Sequence, residues 1–265
     1  MSFDRKTILR YRRLLKARAL RDFEELPEGF QTDQQKNIPN PPLQKPYSKE
    51  AELIDLVEVE EFSVGLEHTL FDSLKNRRSH RTYTNDPLSL EELSYLLWAS
   101  DGVHEVTKHH GSGTKRTVPS GGARHPYEIY LIINNVVSLK PGIYRYLAIE
   151  HKLLFLKSIE EIEQETLEKL TRGRARLILK GAVIFLFVAI PYRMEWRYSI
   201  RSHKVIAIEA GHLCQNLYLA CEALNLGTCA IAAYNQKIAD EIIGVDGDDE
   251  FTVYLAPVGK KAKQG

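Results

Sequence analysis

Apolar positions recur with helical spacing in several segments of the 265-residue chain. The leucines of residues 66–74 predict one helix, and the Ser89–Glu92 segment, which has the sequence of a capping box, predicts the start of another. Residues 158–171 are predicted to form an acidic amphipathic helix. Residues 204–224 are apolar or small over much of the helical circumference, which predicts a helix buried nearly all round, in a core or in a dimer interface.

Shorter apolar runs predict the strands of a sheet. Residues 182–190 are continuously apolar, as expected for a strand that is buried on both faces. Residues 127–133 and 143–146 lie on either side of a Pro-Gly turn, which predicts antiparallel strands. Two further strands are predicted at 228–233 and 251–256. Because the elements follow one another in mixed order, we expect one α+β domain with a largely antiparallel sheet and helices on its faces.

The first 60 residues differ in character from the rest. Residues 6–21 have the pattern of a strongly basic helix, and the prolines between 27 and 46 predict an extended segment that wraps the domain surface. We therefore divide the chain into an N-terminal segment, 1–60, and a main domain, 61–265. Within the main domain, the polar residues 104–116 are predicted to form a loop.

Composition and charge argue against several classes of protein. Lys and Arg number 36 against 35 Asp and Glu, so a net charge of +1 provides no overall field to attract nucleic acid or an anionic membrane. The three cysteines include no CxxC pair and are typical of reduced core residues in an intracellular protein. The N-terminus has no apolar signal core, and the longest apolar run is far too short to cross a bilayer. We expect a cytoplasmic protein with no nucleic-acid or membrane partner.

The stretch 117–130 is the first candidate for a binding site. Pro119, Ser120, Gly121 and Gly122 follow one another without bulky side chains. The backbone there can approach a flat ligand closely and aim its N–H groups at it. A Gly-rich connector before a strand is the alternative interpretation.

A dense basic cluster is the second candidate. Arg77, Arg78 and Arg81 place three guanidiniums within five positions, and Ser79 adds a hydroxyl. Guanidiniums bind phosphate oxygens in bidentate fashion. The cluster therefore indicates a phosphate-binding site, and a solvated basic turn is the alternative.

Other common chemistries lack support in the sequence. There is no GxGxxG after a strand and no P-loop, so a Rossmann or P-loop nucleotide site is not expected. His109 and His110 are adjacent and therefore point apart, and no other ligands stand at metal-binding spacing, so no metal site is expected. A GxSxG elbow for a hydrolytic nucleophile is also absent from the sequence.

Both candidate stretches resemble signatures of the FMN-dependent nitroreductase family, and the resemblance covers roughly residues 66–259. The first signature is similar to residues 77–83, RRSHRTY, with 88–93 after them, and the second is similar to residues 118–126, VPSGGARHP. The form GARHP resembles the SagB-type dehydrogenase branch, which includes the azoline oxidases of peptide-natural-product pathways. Further segments that fit this branch are 142–146, 209–217 and 226–229.

The resemblance implies an α+β nitroreductase-like fold, a mostly antiparallel central sheet flanked by helices, in an intertwined homodimer with two FMN sites at its interface. It also implies ping-pong hydride transfer, with NAD(P)H or with a small-molecule or peptide-derived substrate. By position, the residues for the FMN phosphate and ribityl chain are Arg77, Arg78, Ser79, Arg81 and Lys260. The residues for the flavin ring are Pro119, Ser120, Gly121 and Gly122 of the other subunit, and, at the N5 edge, the backbone N–H groups of Ala230, Ile231 and Ala232.

The chain departs from the family pattern in two places. The Asn of the second signature is Ala123 here, which removes one side-chain hydrogen bond, and Arg124 is the cofactor-binding residue that could compensate. Azoline oxidases have a Lys–Tyr pair, thought to act as the base, where this chain has Arg197 and Tyr198, and an arginine is a poor general base. Tyr198 could transfer a proton, Arg197 could bind a substrate carboxylate, or neither residue has a chemical role.

The prediction is therefore an FMN-dependent oxidoreductase, either an NAD(P)H-dependent reductase or a dehydrogenase, with Tyr198 and Arg197 as candidate catalytic residues. The alternative is a non-catalytic or degenerate flavin-binding partner subunit of a peptide-modifying, azoline-forming system. Ala123 and the missing lysine favour that alternative slightly.

Overall fold

A seven-stranded sheet organises the computed structural model, which describes residues 29–107, 113–171 and 180–262. The predicted basic helix at 6–21 lies outside the described residues. The strands of the sheet are β1 (Leu53–Asp55), β4 (Tyr127–Ile133), β5 (Gly142–Leu147), β6 (Lys152–Ser158), β7 (Val183–Ala189), β8 (Leu226–Thr228) and β9 (Phe251–Lys260), and a separate hairpin consists of β2 (Val103–Thr107) and β3 (Gly113–Arg116). The strand order is β1-β6-β5-β4-β7-β9-β8, and each neighbouring pair is antiparallel.

Six α-helices lie in the described part of the chain. They are α1 (Leu70–Asn76), α2 (Leu90–Asp101), α3 (Gln164–Lys169), α4 (Tyr192–Tyr198), α5 (Ser202–Ala223) and α6 (Gln236–Ile243). None of these helices is long and apolar enough to cross a membrane. The mixed order and the antiparallel sheet confirm the predicted α+β class.

Helices cover both faces of the sheet, which explains why its central strands β4, β5 and β7 are buried throughout. On one face, Leu131 of β4 and Phe185 of β7 belong to a core that includes buried residues of α2 and α5. On the other face, Ile132 and Leu186 belong to a second core with residues of α6. Every residue of β7 is buried, so the prediction of a strand buried on both faces is confirmed.

The start of α2 also agrees with its sequence signature. The Ser89 hydroxyl accepts the Glu92 N–H at 3.0 Å, and the Glu92 carboxylate accepts the Ser89 N–H at 2.9 Å. These two bonds satisfy backbone donors that would otherwise be free at the first helical turn. The predicted capping box is confirmed.

Three local predictions were wrong. The strand predicted at 228–233 is instead β8 at Leu226–Thr228, followed by an isolated bridge at Ile231. Residues 104–116 are not a loop throughout, since β2 and β3 pair as a hairpin from Val103 to Arg116, with residues 108–112 outside the described part. This hairpin is separate from the main sheet and has exposed positions, so its residues show no clear apolar alternation. Residues 158–171 are not one helix either. Ser158 ends β6 and caps a single 3₁₀ turn, and the short α3 follows.

One face of α5 is exposed in a single copy of the described chain, so for that face burial in a dimer interface stays a prediction. Ala207, Ile208 and Gly211 lie on that face, and Ile208 is 48% exposed. The neighbouring α1 also exposes large apolar side chains, and Phe71 is 70% exposed. A single copy of the chain therefore leaves apolar surface on two adjacent helices.

Residues 29–46, which we call the strap, lie across the main domain in irregular conformation. The Trp196 indole donates to the Ile38 carbonyl at 2.9 Å, and the Gln34 N–H donates to the Trp196 carbonyl at 2.9 Å. Nearer the sheet, the Lys45 N–H donates to the Glu128 carboxylate at 2.8 Å. The strap is thus fastened to α4 and to β4.

Candidate active site

The long helix α5 holds the Gly-rich stretch in place. The Glu209 carboxylate accepts the Gly121 N–H at 2.7 Å, and the Asn216 amide donates to the Ala99 carbonyl at 2.9 Å and to the Thr117 carbonyl at 3.4 Å. Glu209 and Asn216 are about two turns apart and so lie on the same face of the helix. Burial raises the pKa of Glu209, and the donors Gly121 N–H and Ser120 hydroxyl oppose that shift.

The turn after these glycines has an unusual backbone. Gly122, Ala123 and His125 have φ values of 64°, 54° and 41°, and only glycine adopts this left-handed region without steric cost. Three hydrogen bonds lie within the turn. The His125 N–H donates to the Ser120 hydroxyl at 2.9 Å, the Ala123 N–H donates to the Ser120 carbonyl at 3.1 Å, and the Arg124 side chain donates to the Gly122 carbonyl at 3.0 Å. Strained turns of this kind persist where the surroundings fix them, as they do at many functional sites.

His125 is buried beneath the turn in its neutral form. Its Nε2 lies 3.0 Å from the Thr114 carbonyl, which can only accept, so Nε2 carries the proton. Burial lowers the pKa of His125 to about 3, and the nearby Arg116 lowers it as well. The ring therefore acts as a neutral donor to the hairpin strand β3, and it stays uncharged at neutral pH.

Two buried ion pairs involve the strands that come directly before and after the turn. Arg193 of α4 pairs with Glu128 of β4, and both side chains are almost fully buried. Arg116 of β3 pairs with Asp101 at 2.5 Å, also out of solvent. Burial raises the pKa of Asp101 to about 6, while the Arg116 guanidinium opposes the shift. The first pair connects β4 to α4, and the second connects β3 of the hairpin to α2.

Arg197 and Tyr198, at the end of α4, lie directly against Gly122. A Cβ atom added to Gly122 would be 2.5 Å from the Tyr198 hydroxyl and 3.0 Å from Arg197 Cδ, so the absence of a side chain at Gly122 permits this close approach. The helix ends at once in Ser199, whose φ of 50° redirects the chain into α5. The structure thus brings the candidate catalytic pair and the Gly-rich stretch together.

The basic cluster of Arg77, Arg78, Ser79 and Arg81 lies apart from the Gly-rich stretch, around Tyr218 of α5. The Arg77 guanidinium lies over the Tyr218 ring, 5.4 Å from its centroid, and the Ser79 hydroxyl is 3.1 Å from the Tyr218 hydroxyl. The Ala230 N–H donates to the same hydroxyl at 2.8 Å. One tyrosine therefore joins Arg77, Ser79 and the segment after β8.

The other two arginines of the cluster bond only to local backbone oxygens among the described residues. Arg78 donates to the carbonyls of Lys75 and Arg77, and Arg81 is 3.5 Å from the Ser79 carbonyl. No carboxylate among the described residues forms an ion pair with Arg77, Arg78 or Arg81. The cluster is therefore an uncompensated positive site.

Close packing fixes the backbone of this cluster on the sheet edge. An added Cβ on Gly227 would lie 2.7 Å from His80 Cβ, and one on Gly259 would lie 2.9 Å from Tyr83 Cβ. The His80 N–H also donates to the Thr228 carbonyl at 2.9 Å. Glycine at these two strand positions lets the basic segment lie directly on β8 and β9.

A family model covers this whole arrangement. The model of the nitroreductase family matches residues 74–260, which include both stretches and α5. The chain belongs to the nitroreductase family. Its fold is the nitroreductase-like fold that the sequence resemblance implied.

Individual relatives agree with this assignment. A putative nitroreductase of Methanocaldococcus jannaschii is 34% identical over 209 residues, 78% of this chain and 96% of that protein. The crystal structure of a putative nitroreductase from Ralstonia eutropha superposes with a TM-score of 0.64 at 25% identity, over 85% of this chain and 98% of that one. The trifolitoxin-processing protein of Rhizobium leguminosarum is 26% identical over 167 residues, 60% of this chain but only 44% of that protein.

Lys260, which the family resemblance assigned to the phosphate, forms a different contact in this nitroreductase-family chain. Its ammonium pairs with Glu92 of α2. The next residue, Lys261, pairs with Glu222 of α5 at 3.0 Å and lies close enough to His80 to lower the pKa of that ring, second to the effect of burial. Of the two tail lysines that the structure describes, Lys261 is therefore the one beside the basic cluster, and the role of Lys260 stays a prediction.

The three backbone N–H groups assigned to the flavin N5 edge are not equivalent. The Ala230 N–H donates to Tyr218, and the Ile231 N–H donates to the Leu255 carbonyl at 2.7 Å. The Ala232 N–H has no acceptor among the described residues, and Ala232 is exposed. Ala232 is thus the member of the trio with a donor available for a ligand.

Sequence reasoning did not identify Tyr218 as a site residue. Tyr218 lies about two and a half turns, roughly 13 Å, beyond Glu209 on α5, and on the opposite face of that helix. A tyrosine among the small and apolar residues of a long helix is the only local signal for it. Glu209 and Asn216 were part of the family signature, but their hydrogen bonds to the Gly-rich stretch are visible only in the fold.

Proposed function

We propose that this chain is an FMN-dependent oxidoreductase whose site is completed by a second copy of the chain. The observation that carries the proposal is the uncompensated cluster of Arg77, Arg78 and Arg81 beside the Ala230–Ala232 segment. A phosphate monoester carries up to two negative charges and offers acceptors to guanidinium and hydroxyl donors. Tyr218 joins those donors to the segment that would lie under a flat ring.

The residues present fit FMN. Arg77, Arg81, Arg78 and Ser79 would hold the phosphate, with Lys260 as the tail lysine that the family resemblance assigns and Lys261 nearby. The Ala232 N–H would meet the N5 edge of the ring. When bound, FMN would supply hydride transfer through N5 in a ping-pong cycle, with NAD(P)H or another donor. The protein would bind and orient the cofactor and the substrate and would exclude water from them. Its hydrogen-bond donors are fixed in place and need no reorganisation.

The homodimer is inferred from the placement of the two candidate stretches. Tyr218 and Glu209 point to opposite faces of α5, so the basic cluster and the Gly-rich stretch of one copy lie on either side of that helix. A single ligand that touches both stretches must take one from each of two copies. The exposed apolar face of α5, with Ile208 and Gly211, and the exposed side of α1 supply the surface for that contact.

Ile208→Arg is expected to dissociate this dimer. An unpaired charge in the centre of an apolar interface costs about 3 kcal/mol or more, which is roughly a hundredfold in the dimer dissociation constant. Sedimentation equilibrium measures the change. Val137→Arg is the matched control, because Val137 is 50% exposed and lies in the turn after β4, away from α5. Equal dimer dissociation constants for the Ile208→Arg and Val137→Arg variants would contradict the proposed interface.

Anaerobic mixing of the flavin-loaded protein with NADH or NADPH tests the activity itself. We expect the flavin absorbance to bleach on mixing and to return when an electron acceptor is added. Colourless protein that cannot be reconstituted with FMN would refute the cofactor. Persistent colour with each donor would leave FMN binding in place but contradict the reductase activity.

A second candidate function is a non-catalytic flavin-binding subunit of a peptide-modifying system. The similarity to a trifolitoxin-processing protein favours it, as does Ala123 in place of the family's Asn. That relative is more than twice as long as its match to this chain, so its processing role comes to this chain only as a proposal. Persistent flavin colour in the anaerobic experiment, together with normal FMN binding, is the result expected for this candidate.

A further inference from the structure

Two arginines on α4 have contrasting surroundings. Arg193 and Arg197 are one helical turn apart, so they lie on neighbouring positions of one face. Arg193 is buried and paired with Glu128, and it also donates to the carbonyls of His125 and Tyr127. Arg197 is only partly buried, and no carboxylate of the described residues forms an ion pair with it. The second arginine therefore keeps an uncompensated charge.

That charge lies on the Gly-rich stretch. Arg197 Cδ and Nε are both 3.0 Å from the position of an added Cβ on Gly122, and Gly122 itself is exposed. The Arg197 guanidinium stacks on the ring of Tyr198, 5.6 Å from its centroid, and the Tyr198 hydroxyl approaches the same glycine. A guanidinium and a phenol hydroxyl thus sit side by side at the surface where the Gly-rich stretch would meet the flavin.

Arg124 adds a second positive charge but is engaged within the protein. It donates to the Gly122 carbonyl and to the Asn40 side chain of the strap, and it stacks on Trp196. Burial lowers the pKa of Arg124, and the charge of Arg197 lowers it further. The two guanidiniums are therefore close enough to repel each other, and a bound anion would relieve that repulsion.

We propose that Arg197, assisted by the Tyr198 hydroxyl, binds the carboxylate of the substrate, so that this site selects carboxylate-bearing substrates. This inference rests on the proposed function, because it places the substrate at the flavin face that the Gly-rich stretch would form. Guanidinium forks match carboxylate geometry with two parallel hydrogen bonds, and an arginine cannot serve as the base at neutral pH. Arg197 is thus a specificity residue and not a proton-transfer residue.

The substrate class can be tested with unreactive probes. Benzoate and benzamide have nearly the same shape and differ in charge, so the ratio of their dissociation constants reports carboxylate recognition. We expect the flavin-loaded protein to bind benzoate at least about tenfold more tightly, which is the lower end for a partly exposed charged hydrogen bond. Isothermal titration calorimetry at fixed ionic strength measures both constants. Equal constants in the wild-type protein would overturn the proposal.

Substitutions identify the residue responsible. Arg197→Gln should reduce the benzoate preference to within about threefold of unity, and Arg197→Lys should retain part of it, since the lysine keeps charge but not the fork. Arg201→Gln is the matched control, because Arg201 is the next arginine along the chain and comes after the Ser199 bend, and it should retain the preference. Equal losses from the Arg197 and Arg201 variants would show a general positive field and overturn the assignment to Arg197.

Kinetics separate this inference from the proposed function. With 4-nitrobenzoate and 4-nitrobenzamide as acceptors, the wild-type kcat/KM should favour the acid, and Tyr198→Phe should reduce that preference without shifting the pH profile of kcat. A shifted pH profile would instead make Tyr198 a proton donor and contradict its assignment here. If neither acceptor is turned over but benzoate is still preferred in binding, the reductase activity fails while the carboxylate site stands. Turnover of both acceptors at equal efficiency overturns the carboxylate site.

Discussion

Replacing Arg77 and Arg81 together by alanine is expected to weaken FMN binding by about two to four orders of magnitude. Each charge-assisted hydrogen bond to the phosphate contributes roughly 1.5–3 kcal/mol, and two such bonds account for that range. Arg81 is exposed in the described chain, so solvent screening favours the lower end. A fluorescence titration of the apoprotein with FMN gives the dissociation constants of the variant and the wild type.

Riboflavin supplies the internal control for this prediction, because it has the same ring and ribityl chain without the phosphate. The ratio of riboflavin to FMN dissociation constants should fall sharply in the double variant. Lys75→Ala is the matched control variant: Lys75 is an exposed basic residue of α1 whose ammonium lies over Phe71, outside the proposed phosphate site. An equal loss of riboflavin and FMN affinity would show that the arginines do not contact the phosphate.

Much of the fold could be predicted because its elements have strong local signals. The strand β7 is continuously apolar, and both faces of the sheet are covered, so sequence pattern and burial agree there. The capping box of Ser89 and Glu92 fixed the start of α2 to the residue. In both places the local preference of the chain and its tertiary environment favour the same structure.

The errors fall where tertiary contacts override a weak local pattern. The hairpin of β2 and β3 is polar because it is separate from the main sheet, so it has no core-facing stripe to reveal it. Residues 158–171 have helical composition, but Ser158 and Glu161 close a short capped turn after β6 that interrupts the helix. The exposed face of α5 is a different case, because its small and apolar residues predict burial in a core or in a dimer interface, and within a single copy no core covers them.

The candidate site, like the fold, could be predicted from the sequence only in part. Its two stretches are continuous in sequence, so the Gly-rich turn and the basic cluster could be found and assigned from the chain alone. The supporting residues come from distant elements: Tyr218 joins Ser79 and Ala230, and Glu128 of β4 meets Arg193 of α4. Such partners have no fixed spacing in the sequence, and only the folded chain brings them together.

Arg193→Leu is expected to destabilise the protein by about 3–5 kcal/mol. The substitution leaves the Glu128 carboxylate buried without its guanidinium, and an uncompensated buried charge is among the most costly single changes in a protein. The Lys45 N–H still donates to that carboxylate at 2.8 Å, which favours the lower end of the range. Urea unfolding of variant and wild type gives the difference in the free energy of unfolding.

A double substitution and a substitution in a surface ion pair decide whether the loss of stability in Arg193→Leu comes from the broken Arg193–Glu128 ion pair. Arg193→Leu with Glu128→Leu should recover a large part of the loss, because no buried charge is then left unpaired. Lys115→Ala should cost at most about 1 kcal/mol, since the Lys115–Glu105 pair is solvent-exposed, at 64% and 54% of the two side chains. Arg193 also bonds the carbonyls of His125 and Tyr127, so it anchors the strained turn that follows Gly122. If the double variant is as unstable as the single one, these carbonyl contacts, and not the pairing with Glu128, hold the turn in place.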